Sequence, residues 1–437
     1  MIKQNPLTLL TPVRMAKLDE LTEILHRFKV GLNHGLNERF DKLGTLHYAR
    51  WFILKEDSFR DPTAFPIPVR LVFSSNFDGT EEEHVEGLSS VFPEYFDELY
   101  ACCEGYPEPA ARNTESRKNY LLKWRVDTTA FYIGAPGRSL KQIQQEDKLK
   151  NHIWHFLNNN KWDGKSAKEV HQAILKEIDS KPEFEWSKQR AEAPGIKWFN
   201  LFFASLVALV LLPIILLWVL YIHLFHERRD KNGTITLSQI PDSKVSKLEE
   251  YEDLFPQNQF TQAVVMKPGW ARLITFHAMM LLGRTLIKNL FVKGELMGIP
   301  TIHFARWVLI DNNKHVLFFS NFDGSWQQYL GDFIDKSGWG LTGIFSNTVN
   351  FPKTKFLGLT GILKTVNFHK SNFFFPGGAY DEEHFLAWSR STQIPTQVWY
   401  SAYHHLSIKN INNNTAIRNE LRKNLNEEQA QLFLKRF

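Results

Sequence analysis

The chain has 437 residues, 43% of them hydrophobic and 14% aromatic, with 35 Phe and a net charge of +5. That length allows two to three domains with full hydrophobic cores. The charge is too mild and too spread for nucleic-acid binding, and no arginine-rich arm or finger motif is present. The two cysteines, Cys102 and Cys103, are adjacent, which excludes a disulfide framework and a cysteine-built zinc site and suits a reducing compartment. The N-terminal stretch M-I-K-Q-N-P-L-T-L-L-T-P lacks the apolar core and cleavage site of a secretory signal.

In chain order, Leu7–Val13 reads as a strand and Met15–Phe40 as a long helix. Residues 45–51, T-L-H-Y-A-R-W, open a hairpin, Thr45–Leu54 and Val69–Asn76, whose loop carries Pro62, Pro66 and Pro68. The returning strand ends in S-N-F-D-G at 75–79. Glu81–Tyr100 is the next helix and Thr128–Gly134 the last strand of this half.

Residues Trp198 to Phe225 contain no Asp, Glu, Lys or Arg. A helix of that length extends about 42 Å, against a hydrocarbon core of about 30 Å. Trp198, Trp218 and Tyr221 suit headgroup level. Lys188, Arg190 and Lys197 precede the segment and Arg228, Arg229 and Lys231 follow it, so flanking charge gives no orientation. Pro213 sits near the middle. Two arrangements are consistent with this pattern: a single tilted span, or a re-entrant hairpin bent at Pro213.

The second half repeats the first. Gln262–Lys267 reads as a strand and Trp270–Phe291 as a helix. Residues 301–307 read T-I-H-F-A-R-W, and S-N-F-D-G recurs at 320–324. Thr301–Ile310, the turn Asp311-Asn312-Asn313-Lys314 and His315–Phe322 form a hairpin. Ser325–Lys336 is a helix, and Gly338, Gly340 and Gly343 mark a flexible connection. Val398–Tyr403 is the last strand. Ile408–Asn414 reads as a polar loop.

Pairing through the 311–314 turn sets Phe304 opposite Asn321, Arg306 opposite Phe319, Trp307 opposite Phe318 and His303 opposite Phe322. Alternation then puts Phe304, Arg306, Asn321 and Asp323 on one face and His303, Trp307 and Phe318 on the other. Both faces are mostly apolar and need covers.

The expected fold is α+β: tandem duplicated ferredoxin-like (βαββαβ) units, packed sheet to sheet, with an intervening apolar membrane helix or hairpin. The divisions are 1–160 for the first unit, 161–196 a helical linker, 197–226 the membrane segment, 227–259 a linker and 260–437 the second unit. Sheets that cover each other must share one aqueous compartment. This favours a same-side, cytoplasmic topology.

Two facing ferredoxin-like sheets resemble the α+β barrel superfamily, which includes dye-decolourising peroxidases, chlorite dismutases and cofactor-free monooxygenases. The peroxidases carry a G-x-x-D-G motif whose Asp lies over haem. In S-N-F-D-G, Asp78-Gly79 and Asp323-Gly324 match it, with Ser75 and Ser320 in place of the first glycine. The resemblance implies an oxidative enzyme, with haem as the candidate cofactor and an apolar or lipidic substrate. The alternatives are a non-catalytic membrane-associated binding or scaffolding module and a partner subunit of another enzyme.

The candidate catalytic residues are Arg306, Asp323, Asn321 and His303, with Arg50, Asp78, Asn76 and His47 as their counterparts. Each has a structural reading. Asp78 and Asp323 stand where an N-cap would, and Asp78-Gly79-Thr80-Glu81 fits a capping box. Arg50 and Arg306 lie mid-strand among apolar residues and need partners, which Asn76/Asp78 and Asn321/Asp323 would supply. His47 and His303 read as core histidines. His369, His384, His404 and His405 show no metal-ligand spacing, and no metal is expected. The partners expected are membrane lipid and an apolar small molecule.

Overall fold

A computed structural model of the chain describes residues 3–60, 67–192, 194–231, 233–353 and 377–437. Pro62, Pro66 and His369 lie outside the described residues. The fold is mixed α+β, with two four-stranded antiparallel sheets among many helices.

The first half runs β1 (Gln4–Pro12), α1 (Leu18–Gly31), α2 (Asn37–Asp41), β2 (Leu46–Leu54), β3 (Arg70–Asp78), α3 (Glu81–Val91), α4 (Pro93–Tyr100), α5 (Thr114–Lys123) and β4 (Ala130–Ile133). Then come α6 (Leu140–Asn159), α7 (Ala167–Asp179), α8 (Trp198–Tyr221) and α9 (Asp242–Glu249). The second half runs β5 (Gln257–Val265), α10 (Trp270–Asn289), β6 (Ile302–Ile310), β7 (His315–Asp323), α11 (Trp326–Phe345), α12 (Glu382–Thr392), β8 (Val398–Ser401), α13 (Ile408–Leu421) and α14 (Glu427–Leu434).

The sheet orders are β1-β3-β2-β8 and β5-β7-β6-β4. Each half therefore gives its last strand to the other sheet. This departs from the expectation that Thr128–Gly134 and Val398–Tyr403 close their own sheets. Before leaving, each segment touches its own first strand: the Leu10 amide donates to Trp124 O and the Val126 amide to Thr8 O. Likewise the Ile394 amide donates to Thr261 O. The chain then crosses, and β4 pairs with β6 while β8 pairs with β2. The crossing strands satisfy the otherwise open edges of β2 and β6. Gly134 permits one crossing, because a Cβ there would lie 2.1 Å from Ile302 O.

Helices cover the outer faces. Trp51, Phe73 and Phe77 pack with Phe28 and Phe40 on one side; Trp307, Phe318 and Phe322 pack with Tyr329 and Phe333 on the other. The inner faces meet in a shared core containing Phe52, Val72, Val308, Leu317 and Phe319. The region at 161–196 is more than a linker, since α7 joins α6, α13 and α14 around Ile153, Ile174, Leu421 and Phe433.

Several local expectations change. The first long helix breaks at His34 and Gly35, which have non-helical backbone angles. The second divides at Pro93, which starts α4. β5 begins at Gln257, five residues before the expected Gln262. Gly338, Gly340 and Gly343 lie inside α11, where small residues admit close neighbours: a Cβ at 338 would meet the Tyr380 ring at 2.8 Å. Ile408–Asn414 opens α13, capped by Ser407 in a capping box with Asn410.

The α8 backbone stays helical across Pro213, so the chain does not reverse there. Its apolar side chains face outward all round: Phe199 is 81% exposed, Leu209 65% and Leu217 68%. The helix is long and apolar enough to cross a membrane. Both its ends are tied to α10. The Lys197 amide donates to Asn289 O at 3.0 Å and Asn200 Nδ2 to Asn289 Oδ1 at 2.9 Å. At the other end Trp218 Nε1 donates to Thr275 Oγ1 at 3.0 Å, and Ile222 packs on Ala271. The two helices thus run antiparallel, touching at the two ends of α8.

Candidate functional site

The eight candidate residues are buried and gather in two reciprocal clusters between the sheets. A β-bulge creates each cluster. In β2 the register shifts between Leu46 and Tyr48, and in β6 between Ile302 and Phe304. The pairings of Phe304, Arg306 and Trp307 are as expected, but Ile302, not His303, opposes Phe322. The extra residue re-aims the histidine. His303 therefore meets Asp323 instead of sharing a face with Trp307, and His47 likewise meets Asp78.

His47 Nε2 lies 3.0 Å from Asp78 Oδ1, and His303 Nε2 lies 2.7 Å from Asp323 Oδ1. The second carboxylate oxygen receives a helix N-terminus: the Leu140 amide donates to Asp78 Oδ2 at 2.7 Å, and the Ile408 amide to Asp323 Oδ2 at 2.8 Å. Each aspartate thus serves a helix, but α6 or α13 and not the one that follows it. The next helices are capped by Thr80, whose box partner is Glu83, and by Ser325. A carboxylate at an N-terminus also meets the positive end of the helix dipole.

The arginines cross to the opposite sheet. Arg50 Nη1 donates to Phe260 O and Thr261 Oγ1, both at 2.8 Å, and Nη2 to Ser320 O at 2.8 Å and Asn321 Oδ1 at 2.6 Å. Arg306 Nη1 donates to Leu7 O at 2.7 Å and Thr8 Oγ1 at 3.2 Å, and Nη2 to Ser75 O at 2.6 Å and Asn76 Oδ1 at 3.1 Å. Arg306 was expected to be buried and to pair with Asn321, Asp323 or backbone carbonyls; it is buried and takes the carbonyls of Leu7 and Ser75, but neither side chain of its own sheet. Asn321 instead serves Arg50, and Asp323 serves His303. The two guanidinium carbons lie 5.5 and 5.7 Å from the Phe319 ring centroid. Burial lowers the Arg50 pKa to about 9; burial, then the neighbouring Arg50 charge, lowers that of Arg306 well below its ordinary value.

The symmetry is imperfect at one corner. Tyr403 OH lies 3.0 Å from His47 Nδ1, whereas His303 Nδ1 has no hydrogen-bond partner among the described residues. Tyr48 OH donates to Gln257 Oε1 at 3.0 Å. Burial raises the pKa of Tyr48 and Tyr403 far above the ordinary value, so both remain neutral hydroxyls.

Sequence reading missed Tyr403, Gln257, Thr8 and Thr261. A signal for three of them was present: Q-N-P-L-T at 4–8 and Q-N-Q-F-T at 257–261 are a further repeated string. In it Asn5 Nδ2 donates to Gly79 O at 2.6 Å and Asn258 Nδ2 to Gly324 O at 2.8 Å, holding the Asp-Gly turns. This string also sets the start of β5. Tyr403 has no such signal.

The fit to haem is poor. Both Nε2 atoms are engaged by aspartates, and His303 Nδ1 is enclosed by the Tyr48, Phe304 and Tyr403 region of the core. None of the described cavities is lined by His47, His303, Arg50 or Arg306. No grouping of His, Cys, Asp and Glu suited to a metal ion occurs among the described residues. No protein-family model matches the sequence, and neither a curated protein nor a solved structure matches it.

Proposed function

We propose that this chain is a membrane-associated, non-catalytic binding or scaffolding module, built from two tandem ferredoxin-like units that exchange their last strands. The tandem origin is supported by the three repeated strings, the equal sheet orders and the bulge at the same place in each hairpin. The reciprocal His–Asp–helix and Arg–carbonyl contacts are structural cross-links. Four N–H groups of each guanidinium and both oxygens of each aspartate are already used by the protein, leaving little for a substrate.

The observation that carries the membrane reading is α8, apolar and, through its middle at 205–217, exposed on every side. Water around such a helix is costly, at about 25 cal/mol per Å² of apolar surface. α10 adds exposed Trp270, Ile274, Leu281 and Leu282 beside it. Because both ends of α8 are bonded to α10, both flanks lie on one side and the protein engages one leaflet. Lacking a polar face, α8 sits at hydrocarbon depth, with Lys197 and Arg228 reaching to the headgroups.

The test is labelling of Lys188→Cys and Lys231→Cys in a Cys102/Cys103-free background in sealed vesicles. Both react from the same side on this reading. Reaction from opposite sides would establish a span and overturn the one-leaflet arrangement.

A second reading, an oxidative enzyme acting on an apolar or lipidic substrate, draws support from His303 Nδ1, which has no partner among the described residues and lies beside Tyr48 and Tyr403. A Soret band in protein purified from haem-replete cells would favour it. Its absence after haem titration would leave the binding reading.

A further inference from the structure

The strongest feature outside the inter-sheet core is a pair of adjoining depressions beside α10. The first is an apolar slot between α10 and α11 with a cavity volume of about 60 Å³, opening into about 580 Å³ when its solvent-filled mouth is counted. Leu282, Gly283, Leu286, Met297, Trp339 and Ile344 form much of its wall. Among the described residues its lining contains no charged side chain. Flexible methionines suit a chain that has no fixed shape.

The second is a wider groove of about 1330 Å³, counting open solvent, between the start of β1, β4 and α10. Its lining includes Lys3, Lys197, Arg284 and Lys288 and, among the described residues, no Asp or Glu. All four cations are exposed, and none forms an ion pair among the described residues. Lys3 also feels the Glu81 carboxylate, whereas Lys197, Arg284 and Lys288 have no ion pair among the described residues and together create a local positive potential. The slot and the groove have Ala130, Ile287 and Phe291 in common. Lys197 immediately precedes α8, so the groove lies at the end of the apolar helix.

We propose that these two depressions form one binding site for an anionic amphiphile, with a single hydrocarbon chain in the slot and the acidic head in the groove. The apolar wall and the cation cluster meet within one turn of α10, where Gly283 and Leu286 face the slot and Arg284 and Lys288 line the groove. A charged carboxylate or phosphate would find two or more N–H donors there, and charge-assisted bonds are the stronger class. The ligand could be a fatty acid from solution or a phospholipid from the bilayer, and both share this chemistry. The inference deepens the membrane reading, but every ligand contact named belongs to the folded body or to the first residue before α8.

The experiment uses the full chain in a nonionic detergent, with native mass spectrometry to count bound oleate, phosphatidylglycerol and, as a neutral control, oleyl alcohol. Gly283→Leu fills the slot without displacing a neighbour at Cβ, since no atom lies within 4 Å of that position. Arg284→Gln/Lys288→Gln removes two exposed charges. A one-to-one adduct with an acidic ligand is expected. Gly283→Leu should weaken acid and alcohol alike by at least about tenfold, and the charge pair should weaken only the acids by a similar factor. Retention of oleate alone assigns the site to a soluble acid, and retention of phosphatidylglycerol alone assigns it to a bilayer lipid. Equal binding by wild type and Gly283→Leu, or no selective adduct at all, overturns the proposal. Flotation on phosphatidylcholine vesicles separates the two readings. A wild type that floats but holds no amphiphile retains the membrane reading and loses the site; one that holds amphiphile but does not float does the reverse.

Discussion

Replacing Arg306 with Ala probes the reciprocal cross-link between the sheets. The guanidinium is buried and supplies donors to Leu7 O, Thr8 Oγ1, Ser75 O and Asn76 Oδ1. Truncation deprives all four acceptors in a place water does not reach. An unsatisfied buried polar group costs about 1–3 kcal/mol. Backbone carbonyls retain a ladder bond through their second lone pair, so Leu7 and Ser75 should fall at the low end. A void left by the side chain adds to the loss, while removal of a desolvated charge beside Arg50 offsets part of it. The expected loss is about 3–5 kcal/mol. Chemical denaturation monitored by tryptophan fluorescence measures it, with Arg306→Lys falling between wild type and Ala because one ammonium cannot reproduce the paired N–H geometry. An unchanged midpoint for Arg306→Ala would show that the guanidinium does not hold the sheets together, and the structural reading of the cluster would fail with it.

Arg50→Met/Arg306→Met should destabilise by more than the sum of the single changes, because each single variant already relieves the repulsion between the two cations and the sum counts that relief twice; a double-mutant cycle reads this coupling, and strict additivity would count against it. Asp311 joins the halves by accepting from Arg70 and His315. Burial raises its carboxyl pKa, but those two hydrogen bonds outweigh it and hold the value at about 2 against an ordinary 3.8. The folded value is depressed, so its contribution is fully present above pH 4 and is lost as pH falls toward about 2. Asp311→Asn should flatten the acid limb of the stability curve by roughly 1–2 kcal/mol, as thermal melts across that range would show. Gly134→Ala should destabilise by several kcal/mol, on the order of 3, because its Cβ meets the Ile302 carbonyl. Gly283→Ala, a mid-helix glycine with open space around it, should gain about 0.5–1 kcal/mol in the same melts.

Local chemistry made much of this protein legible before folding was considered. The H-[YF]-A-R-W and S-N-F-D-G strings, together with the 311–314 turn, fixed the hairpins and most of their register, because side-chain alternation has a period of two. The mixed α+β class and the apolar stretch at 198–225 were equally plain, since composition and length alone carry them. Tertiary structure decided the rest. No local rule says that β4 and β8 leave their own first strands to close the opposite sheets; that choice depends on which edge is open once both sheets exist. The bulges at His47 and His303 reverse their faces, and a single added residue is invisible to alternation until the partner strand is in place. Arg306 needed a partner by charge alone, yet only the packing of two sheets could give it Asn76 and the carbonyls of Leu7 and Ser75 in place of Asn321 and Asp323 on the neighbouring strand of its own sheet. Pro213 suggested a bend, and the helix instead continues through it, because loss of one backbone donor does not force a reversal when the flanking residues are strong helix formers.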